Sequence, residues 1–303
     1  MNRCTVGTVI VLIAAALTAP ANAAANAAPA PVPGPAGDLG RGPGPEPRLV
    51  GRAPRPDTLL PAGTGVPAAR EPVATTGKPR TFRVYATREG LVGHTTANGH
   101  TVTAADHFVS LPSTRSLSPR GGGTYSVRVC AIANKRCVYE PVWDVGPWNT
   151  RDEYWAKHRG DWPDLPRGTP QAQAAYQDGY HGGKDQFGRR VANPAGIDLA
   201  DGAIRDGLGY DSSAWVKVTY LWTGGGARGR VSTGGGTLHV RSGPTTAAAI
   251  VGLAGPYAQL PLRCATTGQP ITGTTTSSTW YRIGKGNYVS GAYVAAPKSV
   301  KTC

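Results

Sequence analysis

The stretch Pro141-Val142-Trp143-Asp144-Val145-Gly146-Pro147-Trp148-Asn149-Thr150 decides how this chain is read. With Tyr139 and Glu140 before it, the run up to Val145 predicts a strand, because β-branched and aromatic residues dominate it. Gly146-Pro147 then stops the strand: glycine permits unusual dihedrals, and proline fixes φ and donates no hydrogen bond. A carboxylate, Asp144, is thus carried to a strand end between two indoles. It is either a catalytic acid in a sugar-binding groove or a turn aspartate tying down the backbone, and the stretch alone suits both.

Just upstream, Tyr125-Ser126-Val127-Arg128-Val129 and the strand through Trp143 flank the segment Cys130 to Cys137. Two strand-like runs closed by two cysteines predict a hairpin with a Cys130–Cys137 disulfide near its turn. Cys264 and Cys303 then remain to close the C-terminal part. Four cysteines beyond the leader fit an oxidising compartment. With no Cys-x-x-Cys spacing, and with His94, His100 and His107 matching no usual ligand set, no metal site is expected. No cofactor motif is found either.

Further out, Met1-Asn2-Arg3 and an apolar run of about 14 residues, too short to span a bilayer, precede small residues suited to cleavage near Ala23. Residues 1–23 are therefore expected to be a signal peptide, and the protein secreted, without a membrane span. Residues 24–79 are rich in Pro, Ala and Gly and lack a periodic apolar pattern. Such a chain buries too little surface to offset its ordering entropy, so a disordered linker is expected. The remainder has frequent turn residues and short apolar runs, which predicts a mostly β architecture. Two Gly-rich clusters place a linker at 224–236, between domains at 80–223 and 237–303.

Charge divides sharply at that boundary. Residues 80–223 hold 17 Lys+Arg against 14 Asp+Glu, a net of +3, while residues 224–303 hold eight basic residues and no acidic one. A wholly cationic surface favours polyanions. In a secreted protein these are envelope polymers, such as anionic wall polymers or peptidoglycan carboxylates, rather than nucleic acid.

The order of short motifs adds a resemblance. Thr96-Ala97-Asn98-Gly99, Ala104-Ala105-Asp106-His107, Leu111-Pro112, Asp144-Val145-Gly146-Pro147, Ile197-Asp198-Leu199-Ala200 and Leu208-Gly209 follow one another as in the double-psi β-barrel family. That family includes rare-lipoprotein-A-type lytic transglycosylases, expansins and family 45 endoglucanases. The resemblance covers roughly residues 81–222 and implies a six-stranded double-psi β-barrel. It also implies that Asp198 matches the general acid of family 45 enzymes, an aspartate that expansins keep without appreciable hydrolysis, with Asp144 as its partner. The sequence departs from the rare-lipoprotein-A pattern at His100, where an acidic residue is usual, at Val145, where arginine is usual, and in a long insert from Trp148 to about Asn193. Taken locally, Asp198 also stands where an N-cap belongs, ahead of a short helix from Leu199 to Gly209.

The insert is expected to be partly helical, with Thr169 capping a helix that has Pro170 at its first position. Its aromatic residues include Trp148, Tyr154 and Trp155. With Trp143 and His107 they are candidates for a glycan platform, joined by the loop charges Lys184 and Asp185. The competing expectation is that most of the insert's aromatics form its own small core.

Beyond residue 236, Leu238-His239-Val240-Arg241-Ser242-Gly243-Pro244, Ile250-Val251-Gly252, Trp280-Tyr281-Arg282-Ile283 and Tyr288-Val289-Ser290 resemble the bacterial SH3-like domain. This implies a second small β-barrel of a kind that often tethers secreted proteins to peptidoglycan. Two functional expectations follow. In one, an expansin-like barrel binds cell-wall polysaccharide while the cationic domain anchors it. In the other, Asp198 is the general acid of a lytic transglycosylase or glycoside hydrolase acting on peptidoglycan or β-glucan.

Overall fold

The structure is a computed structural model, and it describes residues 76–303. The expected signal peptide and nearly all of the expected linker lie outside the described residues. The chain is mostly β, and its first six strands close into a barrel. They are β1 (Arg80–Arg88), β2 (Val109–Leu111), β3 (Ser126–Ala131), β4 (Cys137–Val145), β5 (Ala195–Leu199) and β6 (Ala214–Tyr220). Their spatial order is β4-β2-β5-β1-β6-β3, and β3 pairs back onto β4 to close the ring. Alternation explains why these strands form: Val84, Val127, Val129, Val138, Ile197, Val216 and Val218 point inward and pack into one core. Cys130 and Cys137 form a disulfide across the β3–β4 hairpin, and a second disulfide joins Cys264 to Cys303 near the C-terminus.

The insert holds one helix, α1 (Gln171–Asp178). Thr169 does not cap it. The residue before the helix is Pro170, and the N–H of Gln171 is instead met by Asp152 Oδ2 at 2.7 Å. A carboxylate from 19 residues upstream thus does the capping, while also pairing with Arg159. Asp198 is not an N-cap either. It lies inside β5, and the helical turn Ala203–Gly207 begins further on.

The second part contains β7 (Arg228–Val231), β8 (Leu238–Arg241), β9 (Ile250–Ala254), β10 (Gln259–Pro261), β11 (Cys264–Thr272), β12 (Thr276–Gly284), β13 (Asn287–Ser290) and β14 (Val294–Ala295). The Gly-rich stretch 224–236 is therefore not a plain linker, because β7 lies within it as the central strand of a β10-β7-β14 sheet. Its glycine has a packing reason: a Cβ on Gly229 would stand 2.5 Å from Val294 Cγ1.

The two parts share one sheet. β9 pairs in parallel with the start of β4, matching Cys137 to Gly252 and Tyr139 to Ala254. Strand β4 serves both cores, since Val138 and Val142 pack in the barrel while Tyr139 packs with Leu238, Val240 and Leu260. Among the described residues, no helix is long and apolar enough to cross a membrane.

Candidate functional site

Strand register gathers four polar residues that are distant in sequence. Thr87 of β1 pairs with Asp198 of β5, Asp198 with Ser110 of β2, and Ser110 with Asp144 of β4. Residues in register share a face of a sheet, so these four form one row across adjacent strands. The two carboxylates singled out from the sequence are brought together, separated by a single serine.

Their environments differ. Asp198 is half-buried, and its Oδ1 accepts a hydrogen bond from the Thr87 hydroxyl. Its Oδ2 lies 4.0 Å from where a Cβ on Gly146 would stand, and Gly146 adopts φ +149°. Glycine is thus required by backbone conformation where β4 turns away beside the carboxylate. Asp144 is only 3% exposed, and its Oδ1 accepts the N–H of Ala97 at 2.6 Å. That bond holds the turn through Ala97 and Asn98 against β4, helped by Asn98 N–H donating to Trp143 O at 3.2 Å. Asp144 therefore carries out the bracing of a turn aspartate, and Asp198 is the more accessible carboxylate.

Three polar residues of the site, Thr87, Ser110 and Glu89, escaped the sequence reading. The Ser110 hydroxyl donates to Glu89 Oε2 at 2.5 Å, and Glu89 is buried just beyond β1. Serines and threonines in strands carry no motif. The only available signal was the two-residue spacing of Thr87 and Glu89, which puts both on one side of an extended chain.

The expected aromatic platform is not formed. Tyr154 is 0% and Trp155 3% exposed, and Trp143 and Trp148 are also buried. Trp155 stacks on Tyr220 at 4.7 Å, and Tyr154 donates its hydroxyl to Gly196 O. Trp143 stacks on Phe108 and donates its indole N–H to Gly122 O. Trp148 donates its indole N–H to Asn193 and packs with Ala172, Ala175 and Val191. Large aromatic surfaces gain most by burial, and here the insert uses them to fasten itself to the barrel.

The remaining candidates divide in the same way. Asp185 is fully buried, accepting the N–H groups of Phe187 and Arg189 and pairing with the Arg189 guanidinium, so it staples a loop. Lys184 alone among the seven proposed ligand contacts is exposed. His107 is buried, with Nδ1 2.9 Å from Glu140 Oε1. This pair sits where the two parts meet: a Cβ on Gly255 would lie 2.3 Å from Glu140 Oε2 and 2.8 Å from His107 O. Burial pulls the His107 pKa down, but the charge and hydrogen bond of Glu140 outweigh it and leave it raised. Burial also raises Glu140, against the pull of His107. Among the described residues, no cluster of three or more His, Cys, Asp or Glu could hold a metal ion.

A family profile described as a domain of unknown function (DUF8814) matches residues 80–219, which span the barrel and its insert. No curated protein matches the chain in sequence. Among solved structures, the crystal structure of a mutant expansin from Clavibacter michiganensis in complex with cellohexaose aligns with 73% of this chain and 97% of that one. Its identity is 13% and its TM-score 0.25.

Proposed function

We propose that the chain is a secreted, wall-associated protein whose barrel engages peptidoglycan or a related polysaccharide without cutting it, as an expansin does. The cationic second part, read as SH3-like, retains it on the wall. The observation that carries this reading is the row Thr87–Asp198–Ser110–Asp144. Its two accessible members, Thr87 and Asp198, set a hydroxyl beside a carboxylate, a pair suited to the hydroxyls of a sugar chain, while the buried Ser110 and Asp144 support them from the adjoining strands.

Hydrolysis in its usual form needs a second carboxylate to activate water or act as nucleophile. The burial of Asp144 and its bond to the Ala97 N–H favour binding over hydrolysis. A second reading rests on the half-exposed Asp198, which could protonate a leaving oxygen alone in a lytic transglycosylation.

Binding and sugar release measured separately on peptidoglycan and β-glucan test both readings. The wild type is expected to bind without releasing sugar. Asp198→Asn should weaken binding about tenfold or more, because hydrogen bonds to a charged group are worth about 1.5–3 kcal/mol. Sugar release by the wild type that Asp198→Asn abolishes would replace the binder by the enzyme.

A further inference from the structure

The eight basic residues of 224–303 have no acidic neighbour in their own segment, and none forms an ion pair among the described residues. Two of them share a register row. Arg282 of β12 pairs with Tyr288 of β13, Tyr288 with Arg241 of β8, and Arg241 with Ile250 of β9. The neighbours Val240, Ile283 and Val289 fill the core, so the row occupies the outer face of the sheet. Arg282 is exposed, and Ile250 is 51% exposed.

The same face is hollowed beside the row. A cleft of about 360 Å³ is lined by His239, Arg241, Trp280 and Ser290, with Thr237 and Tyr293 among its other walls. Arg241 is held in place by Nη1, which donates to Thr246 O at 2.7 Å and Ala248 O at 2.9 Å. Its Nε and Nη2 donors make no hydrogen bond within the described residues. Burial, and then the nearby charge of Arg241, lower the His239 pKa, so its ring lines the cleft as a neutral hydrogen-bonding group near neutral pH.

We propose that this outer face is a binding site for an anionic polysaccharide. One unit of the polymer sits in the cleft between His239 and Arg241, and the chain continues over Tyr288 to Arg282. Hydroxyl and aromatic groups suit a sugar ring, and guanidinium groups suit phosphate or carboxylate oxygens. Arg241 and Arg282 stand two strands apart, about 10 Å at the usual strand spacing, a separation that a polymer carrying repeated charges can span. Single-stranded nucleic acid is the rival polyanion, and the test separates it from a polysaccharide. This site deepens the wall-retention half of the proposed function and rests on it.

The test uses the full chain with poly(glycerol phosphate), polygalacturonate, neutral β-glucan and single-stranded DNA as probes, across a salt series. Binding to at least one of the two anionic polymers is expected, with phosphate and carboxylate chemistry told apart by which of them binds. Arg282→Glu should weaken that binding about tenfold and flatten its salt dependence, since each lost contact releases fewer counterions. Arg230→Glu, exposed on the central strand of the other sheet, is the charge-matched control and should weaken it less than about twofold by screening arguments. Equal losses in both variants, binding to neither polymer, or displacement of the bound polymer by DNA at equal charge would each overturn the proposal. Arg282→Gln, compared by melting temperature, separates loss of the site from loss of fold. Binding of β-glucan by the barrel, scored with Asp198→Asn, fails or succeeds independently of this face.

Discussion

The barrel with its insert and the second β part treat charge in opposite ways. In the barrel and insert, four carboxylates are buried and committed to partners: Asp152 to Arg159, Asp185 to Arg189, Asp201 to Arg88, Glu140 to His107. In the second part there is no side-chain carboxylate to commit, and six of its eight cations are exposed. Charge in the first region therefore holds structure, and charge in the second is available to a partner. Buried pairs are costly to break, whereas exposed cations contribute little to stability.

That contrast can be broken most directly at Asp152. It is buried, and burial raises its pKa to about 6 against the pull of Arg159 and of the Gln171 N–H. Asp152→Ala removes the cap of α1 and leaves the Arg159 guanidinium buried without its partner. A loss of about 3–5 kcal/mol is expected, read from denaturant or thermal unfolding. A loss below about 1 kcal/mol would place the insert's ion pairs among surface pairs.

Next in size is the junction between the regions. A Cβ on Gly123 would stand 1.9 Å from Tyr257 O and 2.7 Å from its carbonyl carbon. Gly123→Ala must push backbone from backbone, and overpacking of this kind costs about 1–3 kcal/mol. Calorimetry should show a single transition in the wild type and two in the variant, if docking of β9 on β4 couples the parts.

The His107–Glu140 pair sharpens the same point through pH. Both groups hold their protons more tightly in the folded chain than in the unfolded one. His107 stabilises fully below its ordinary value of 6.5, and that contribution is lost as pH rises through its higher folded value. The raised Glu140 acts in the same direction, from its ordinary 4.5 upward. Melting temperature should accordingly fall from mildly acidic to alkaline pH, and the double variant Glu140→Gln with His107→Gln should flatten the profile. A profile that rises with pH over this range would show the pair to be differently protonated.

The smallest effect belongs to the second region. Arg282→Ala should change stability by no more than about 0.5 kcal/mol, the usual range for surface substitutions. The same variant should lower polyanion binding. Affinity for the polymer should also increase as pH falls, because a protonated His239 adds a cation beside Arg241 with no carboxylate of residues 224–303 to offset it.

Much of the barrel was legible beforehand. β-branched and aromatic runs marked β3 and β4, and the hairpin cysteines marked their pairing. Asp144 was found because it ends a strand at a turn signal, and Asp198 through its place in the motif order that resembles the double-psi β-barrel family. Thr87, Ser110 and Glu89 were not, since nothing local distinguishes a strand hydroxyl that faces a carboxylate from one that faces water. The indoles of Trp143, Trp148 and Trp155 misled for a related reason: aromatic residues are equally frequent in cores and in sugar sites, and composition does not say which side of the chain is covered.

Residue order and composition alone determined the β character, the Cys130–Cys137 hairpin, the inward alternation of valines and the absence of acid from residues 224–303. Each of these depends on near neighbours or on counting, and so is written locally. Only the tertiary structure decided that Asp198, Ser110 and Asp144 stand in one row, that the insert's aromatics are buried, and that β9 completes the edge of β4. Those outcomes depend on which distant strands pair and in which register. Shifting a strand by one residue would turn every side chain on it to the opposite face.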